Sequence, residues 1–550
     1  MILFSATSVI AETSYPAPKT SMNFEPLRSI VILEGGRKKP LDTFARETVR
    51  MVTGREKFAG FDPLELIFSW LTESKSWEKL PILEASYRPL QEKVGLKVSE
   101  GRISPEALKA NQEFNLLFQT VASKQQSGAK LTELEQNTMG LMQRLSNFYK
   151  IASGASLTLV PQSGGPWESL GSIAERYPDL KAIGGDPALE AKIAVGVQGL
   201  LSAYFQNDAK LFNQVSGLMV DLFRRQGEKI GGYPQVPEIA REIHFNKLKP
   251  FRLAWLGYAL AFFILLSSLW LKGKKVYGLG MFVLLAAFAM HVYGFYLRIV
   301  ISGRAPVTNM YETVIWVSLG IVFFATVFEA IYKAKYYAVA AAALATLGLV
   351  LADSAPAILD PAINPLVPVL RSNYWLTIHV LTITLSYAAF ALALGVGHVS
   401  MGYYIFKPDS QQKVNQLNYF LYRSIQVGVV LLAAGTILGG VWANASWGRF
   451  WGWDPKEVWA LIALLGYLAI LHGRYAGWLS GFGLAVGSIL AFLLVMMAWY
   501  GVNFVLGVGL HSYGFSSGGA LFMSIFVISE FIWVGFAVLR YKVLFNPATS

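Results

Sequence analysis

The chain has 550 residues, 54% of them hydrophobic and 14% aromatic, with a mean hydropathy of +0.43, values that place at least half of it in the membrane class. It contains no cysteine, which excludes disulfides and thiol redox chemistry by the protein itself, so any thiol in its reaction must come from a partner. The net charge of +12 reads as the topological bias of a membrane protein, whose Lys and Arg accumulate on the cytoplasmic side, and not as a nucleic-acid surface.

In chain order, the start "MILFSATSVIAETS" has a short apolar stretch without a basic n-region. Residues 1–12 are therefore read as the remnant of an export signal, or as a start from which an upstream segment is missing. Residues 13–247 are mixed and charged and form a soluble domain of 235 residues. Its segments "SPEALKANQEFNLLFQTVASK" and "LTELEQNTMGLMQRLSNFYKIA" carry apolar residues at helical spacing behind Ser104 and Thr132 as caps. "QSGGPW" (162–167) and "GGYPQVP" (231–237) break the pattern. No phosphate loop, metal cluster or catalytic triad is found there, which leaves docking or scaffolding as the domain's role.

Residues 248–550 are apolar runs with short polar breaks. Nine spans are predicted, at 251–271, 276–300, 311–332, 337–352, 376–405, 424–441, 456–471, 479–504 and 519–539, each able to cross about 30 Å of hydrocarbon with some tilt. The breaks sort by charge. One set holds Lys272, Lys274, Lys275, Lys333, Lys335, Lys407, Lys413, Arg423, Arg474, Arg540 and Lys542; the other has only Arg304, Arg371, Arg449 and Lys456, with Arg298 at a helix end. The first set belongs in the cytoplasm. That puts the soluble domain, residues 353–375, the loop 442–459 and residues 505–518 on the outer face, with the C-terminus inside. The expected architecture is an all-α polytopic membrane helix bundle with an N-terminal, mainly helical soluble domain outside.

Five of the six histidines fall in the membrane domain: His291, His379, His398, His472 and His511. Ionisable residues are rare in spans and tend to mark function. The predicted topology puts His379 and His511 at the outer face. His472 and His398 fall at the inner depth, and His291 in the outer half of the second span. Neutral imidazole is a good iron ligand, and two on opposite faces can hold a haem. For any one of them, an interhelical hydrogen bond or an interfacial anchor is the competing account.

The segment "WGRFWGWDPKE" (447–457) sits at an outer turn. Asp454 as N-cap, Pro455 at the first helical position and Glu457 at N3 read as a capping box, which makes the two carboxylates shape the loop instead of doing acid–base chemistry. Trp442, Trp447, Trp451, Trp453 and Trp459 are five of fifteen tryptophans within 18 residues. An interface belt would spread them over many helix ends. Clustered, they suit a flat conjugated ring, with Arg304, Arg371 or Arg449 available to pair with its carboxylates. An iron porphyrin with propionate groups has all the matching features.

"VWANASWGRFWGWDPKEVWALI", "LHGRYAGW", "GVNFVLGVGLHSYG", "LRIVISGRAPVTNMYET" and "NYWLTIHVLTITLSYAAFALA", in this order-bearing set over about residues 250–541, resemble the tryptophan-rich haem-handling family, most closely the CcsA (ResC) type of System II cytochrome c synthase. The soluble part, from "PLRSIVILEGGRKKPLDTFARETVR", resembles the N-terminal extension of larger CcsA-type proteins. The resemblance implies that haem b enters the membrane domain of a cytoplasmic-membrane protein and is presented on the periplasmic face under the tryptophan segment. It implies iron ligation there by His379 and His511, and an inner site at His472. The inner site's second ligand would come from a separate CcsB (ResB) subunit, or from His398 or His291 of this chain. The implied reaction is haem lyase chemistry: the thiols of an apocytochrome Cys-x-x-Cys-His motif add across the haem vinyl groups. The alternative is a haem exporter or chaperone that passes haem on without forming the bond.

Overall fold

The computed structural model describes residues 15–162, 165–176, 188–271, 274–356, 358–366, 373–506 and 519–545. The segment 1–12, Arg371 and His511 lie outside these residues. Contacts divide the chain into two units, Met1–Lys247 and Leu248–Ser550.

The first unit is mainly helical. Ser104 caps Pro105–Ala110 through the Ala107 N–H, but the expected long helix is interrupted there. Asn111 is extended and caps a second helix, Gln112–Gln126, because its short amide offers the backbone a cap in place of a helical turn. Thr132 and Glu135 form a full capping box on Glu133–Ala152. The sequence reading missed three short antiparallel strand pairs, Val31–Glu34 with Arg37–Pro40, Leu83–Glu84 with Arg102–Ile103, and Thr158–Val160 with Glu168–Ser169. Strands of two to four residues leave no period long enough to detect. Trp70, Trp77, Phe114 and Phe148 fill the core. An ion-pair net around Arg28, Asp42, Asp62 and Arg46 closes one side of it.

The second unit contains, among the described residues, nine helices long and apolar enough to cross a membrane. We number them α1 to α9: Pro250–Ser267, Lys274–Ser302, Met310–Tyr332, Tyr336–Ser354, Asn373–Phe406, Gln411–Trp447, Pro455–Tyr475, Gly481–Met496 and Ala520–Phe545. This is a multi-pass membrane protein. Large apolar side chains such as Phe263, Phe282, Ile525, Ile528 and Ile532 lie exposed on its surface, where only lipid makes their exposure inexpensive. Two helices differ from expectation. α6 has 37 residues, about 55 Å at 1.5 Å per residue, because the amphipathic stretch around Asn415, Asn418 and Arg423 continues the helix below the apolar run. α8 passes directly into a π-helix, Met497–Leu506.

Several ion pairs and hydrogen bonds join the helices, the most buried of them where a medium without water favours pairing. Arg298 and Glu312, 1% and 0% exposed by side chain, bridge α2 and α3 at 2.8 Å. Arg252 makes two 2.8 Å bonds to Asp353, joining α1 to α4. Glu329 takes the Tyr277 hydroxyl at 3.0 Å and the Lys335 N–H at 2.8 Å, tying the end of α3 to the start of α4.

Candidate functional site

The site is built at one end of α5, α6 and α7. Asp454 caps α7 and Glu457 completes the expected capping box. The Glu457 carboxylate accepts the N–H of Gly452 at 2.8 Å and of Asp454 at 3.2 Å, so it holds the tryptophan loop in place. Trp453 stands in the left-handed region at φ 55°, an unusual conformation for a bulky side chain, and this turns the chain from loop into helix.

Beneath the loop lies a cavity with mostly apolar walls, part of it open to solvent. α5 contributes His379, Ile383 and Tyr387, α6 contributes Gly439, Gly440 and Trp442, and the loop contributes Phe450 and Trp451. α7 adds Lys456, Glu457 and Ala460, the π-helix adds Trp499 and Asn503, and Val307 to Met310 with Thr313 close the far wall.

His379 is fixed on three sides. Its Nδ1 is 2.8 Å from the Gly435 carbonyl; a carbonyl only accepts, so Nδ1 carries the proton and Nε2 carries the lone pair. That is how metal-binding imidazoles are commonly oriented, one nitrogen donating to a carbonyl so the other can ligate. Its ring stacks on Trp442, with centroids 6.0 Å apart and an interplanar angle of 16°. Gly439 makes the approach of α6 feasible: a Cβ there would lie 2.6 Å from the imidazole Cε1.

The predicted aromatic residues take different places. Trp442 is 2% exposed and lines the cavity with Trp451. Trp447 packs behind Trp442 at 4.9 Å between centroids. Trp453 is 72% exposed, edge-on to Trp451, and is not among the lining residues. Arg304 does not line the cavity either; its guanidinium bonds the Asn364 carbonyl and Thr308. Arg449 is exposed, packed over Gly452.

Three other histidines lie elsewhere. His398 shares α5 with His379, about 28 Å along the axis, near the full apolar thickness. Its Nε2 is 3.0 Å from the Glu530 carboxylate of α9 and its Nδ1 is 2.9 Å from the Leu394 carbonyl. Trp533 stacks on the ring. Both nitrogens are engaged, the interhelical role weighed against ligation. His291 is fully buried with Nδ1 3.2 Å from the Tyr258 hydroxyl, away from the cavity. His472 is exposed in the last turn of α7, Nδ1 2.7 Å from the Leu468 carbonyl, about 27 Å from the tryptophan loop.

Sequence reasoning missed Lys456 as a lining residue, and Trp499 and Asn503 of the π-helix. A lone Asn in "WYGVNFVL" is the signal that could have found the latter, and π-helical turns occur frequently at functional sites. No group of three or more His, Cys, Asp or Glu able to hold a bare metal ion occurs among the described residues. A porphyrin supplies four nitrogens of its own and needs only axial ligands.

The architecture defines a class: a multi-pass membrane protein with an indole-lined cavity that carries, among the described residues, one oriented imidazole. Residues 307–511 match the Cytochrome C assembly protein family, a stretch that includes every lining residue of the cavity. Cytochrome c biogenesis protein CcsA of Prochlorococcus marinus is 33% identical over 309 residues, covering 50% of this chain and 96% of that relative. CcsA of a second strain of that species is 38% identical over 247 residues, 40% of this chain and 79% of the relative. Protein NrfI of Wolinella succinogenes is 28% identical over 515 residues, a match covering 88% of this chain and so extending into the first unit. The chain spans about half of NrfI, 54% of its length. The chain belongs to the CcsA-type family of cytochrome c biogenesis proteins.

Proposed function

We propose that this chain is the haem-binding membrane subunit of a cytochrome c synthase, taking haem b as substrate in the cavity under the tryptophan loop. The observation that carries this is the joint placement of His379, Trp442 and Trp451 on the walls of one apolar cavity. Iron would be ligated by His379 Nε2 and, from residues outside the described set, by His511. Trp442 and Trp451 would face the ring, and Trp447 would back them. The protein's share of the work is orientation and exclusion of water. Each apocytochrome Cys S–H of a Cys-x-x-Cys-His motif adds across a vinyl group: a C–S bond forms, the proton goes to the adjacent vinyl carbon, and no oxidant is needed. The positive-inside rule supports placing the loop and soluble domain on the periplasmic side of the cytoplasmic membrane, with the C-terminus inside. His472, at the opposite end of α7, would serve an inner haem site whose second ligand a CcsB (ResB)-type subunit supplies, since His398 is bonded to Glu530.

The test is the absorption spectrum of the purified full chain. A Soret band is expected that falls in His379→Ala and returns with added imidazole, which can occupy the vacated axial position. A band unchanged in both His379→Ala and His511→Ala would remove the assignment. Co-expression of a Cys-x-x-Cys-His substrate with and without a CcsB-type partner then separates a lyase from a carrier. Covalent haem on the substrate marks the lyase; non-covalent haem alone marks the carrier.

A further inference from the structure

The arginines expected from sequence to meet ligand carboxylates are not on the cavity wall, but a different cation is. Among the described lining residues, Lys456 is the sole Lys or Arg. It occupies the first turn of α7, between Pro455 and Glu457. Its backbone N–H goes to the Asp454 carboxylate at 3.0 Å, and its ammonium donates to Asn503 Oδ1 at 3.0 Å. Asn503 is only 7% exposed, and its amide N–H₂ donates to the Trp499 carbonyl at 2.9 Å. That bond fixes the orientation of the amide and leaves its oxygen to face the lysine. The π-helix and α7 thus jointly aim one ammonium at the cavity.

Helix stability does not account for this residue. A cation in the first turn adds its charge to the positive end of the helix dipole, where carboxylates are favoured and ammonium groups are not. Nor does snorkelling, since the head group is turned to a buried amide instead of to the loop's solvent. The cavity wall also carries the Glu457 carboxylate, and in these largely apolar surroundings the low dielectric strengthens whatever pairing the ammonium makes with an anionic group of a ligand.

We propose that Lys456, positioned by Asn503, binds a carboxylate of the planar ligand coordinated by His379 and so selects ligands that carry a free acid group. The proposal rests on the haem reading above and assigns the propionate contact to Lys456 in place of Arg304, Arg371 or Arg449.

The experiment titrates the purified full chain, stripped of bound haem, with iron protoporphyrin IX and with its dimethyl ester, following the Soret band. Wild type is expected to bind the free acid about tenfold or more tightly than the ester, the scale of one charge-assisted hydrogen bond. Lys456→Met should lose that preference by weakening the acid alone, while Lys456→Arg keeps it. Undiminished ester binding in Lys456→Met shows that the cavity is folded. Should Lys456→Met bind neither compound, Lys456→Gln, which keeps a donor near Asn503, is titrated in its place with the same expectation. Equal affinity of wild type for acid and ester overturns the proposal, as does a preference that survives in Lys456→Met. Absence of a His379-dependent Soret band with either compound would instead overturn the haem reading itself.

Discussion

The His379 imidazole owes its geometry to two glycines of α6, one lending a carbonyl and the other lending space. Gly435 accepts from Nδ1 at 2.8 Å, and Gly439 leaves room for the ring, since a Cβ would come within 2.6 Å of Cε1. A real Cβ does not survive at that distance, so either the ring rotates or α6 backs away. Gly439→Ala should therefore displace the imidazole and reduce haem occupancy several-fold, with circular dichroism and expression close to wild type. Occupancy equal to wild type would mean that the ring's present position does not matter. Much of this site was legible beforehand. A histidine near a span end and a dense run of indoles are visible as text. The capping box of Asp454 and Glu457 was also readable, because it depends on spacing within one turn. The division of labour among the indoles was not. Whether Trp442 or Trp453 faces the cavity depends on how α6 packs on α5 and on the left-handed backbone at residue 453, neither of which a local pattern carries. Lys456 was hidden for the same reason: its meaning comes from Asn503, 47 residues on.

Among the elements, α2, α3 and the loops between them show how a charged pair shapes the cavity without lining it. Arg298 of α2 bonds the Glu312 carboxylate through Nε at 3.0 Å and Nη2 at 2.8 Å. Its Nη1 reaches the Pro361 carbonyl at 2.9 Å, in the segment after α4. The other Glu312 oxygen takes the Thr308 N–H and hydroxyl, both at 2.7 Å, and Asn309 caps α3 at the Glu312 N–H. Thr308 and Asn309 are wall residues of the cavity, so the pair sets that wall from behind. Removing one partner of a buried ion pair leaves the other charge unpaired and costs about 3–5 kcal/mol. Arg298→Met should thus lower the thermal unfolding midpoint in detergent markedly, and Arg298→Met with Glu312→Met should recover much of the loss because no charge is stranded. A double variant as unstable as the single would show that the carbonyl and Thr308 bonds, not the ion pair, hold the loops. The sequence placed the spans within a few residues of these helices, since apolar length is a strong signal. It missed the extra turns of α6, where the periodicity turns amphipathic, and the π-helix after α8, which preserves apolar composition while changing the register of Trp499 and Asn503.

At the scale of the whole chain, the open physical question is which end of the bundle faces which compartment, and charge alone gives the answer to be tested. Phe450, in the tryptophan loop, and Tyr475, at the far end of α7, are 49% and 88% exposed, and the span between them runs from Pro455 to Tyr475. The basic residues cluster with Tyr475, in breaks holding Lys333, Lys407, Arg474 and Arg540, so that end is expected in the cytoplasm. Because the natural chain has no cysteine, a single introduced thiol reports its side of the membrane without background. Phe450→Cys should react with a membrane-impermeant maleimide added to intact spheroplasts, and Tyr475→Cys only after permeabilisation. Lys97→Cys, on an exposed position of the first unit, should behave like Phe450→Cys. The three results together constrain function as well as topology. Apocytochrome c thiols can reach the cavity from the periplasm only if the loop is labelled from outside. A first unit labelled from the same side would share that compartment with the substrate and could dock it. If Tyr475→Cys were the position labelled in intact cells, the cavity would open to the cytoplasm, and attachment of haem to an exported cytochrome at this loop would be excluded.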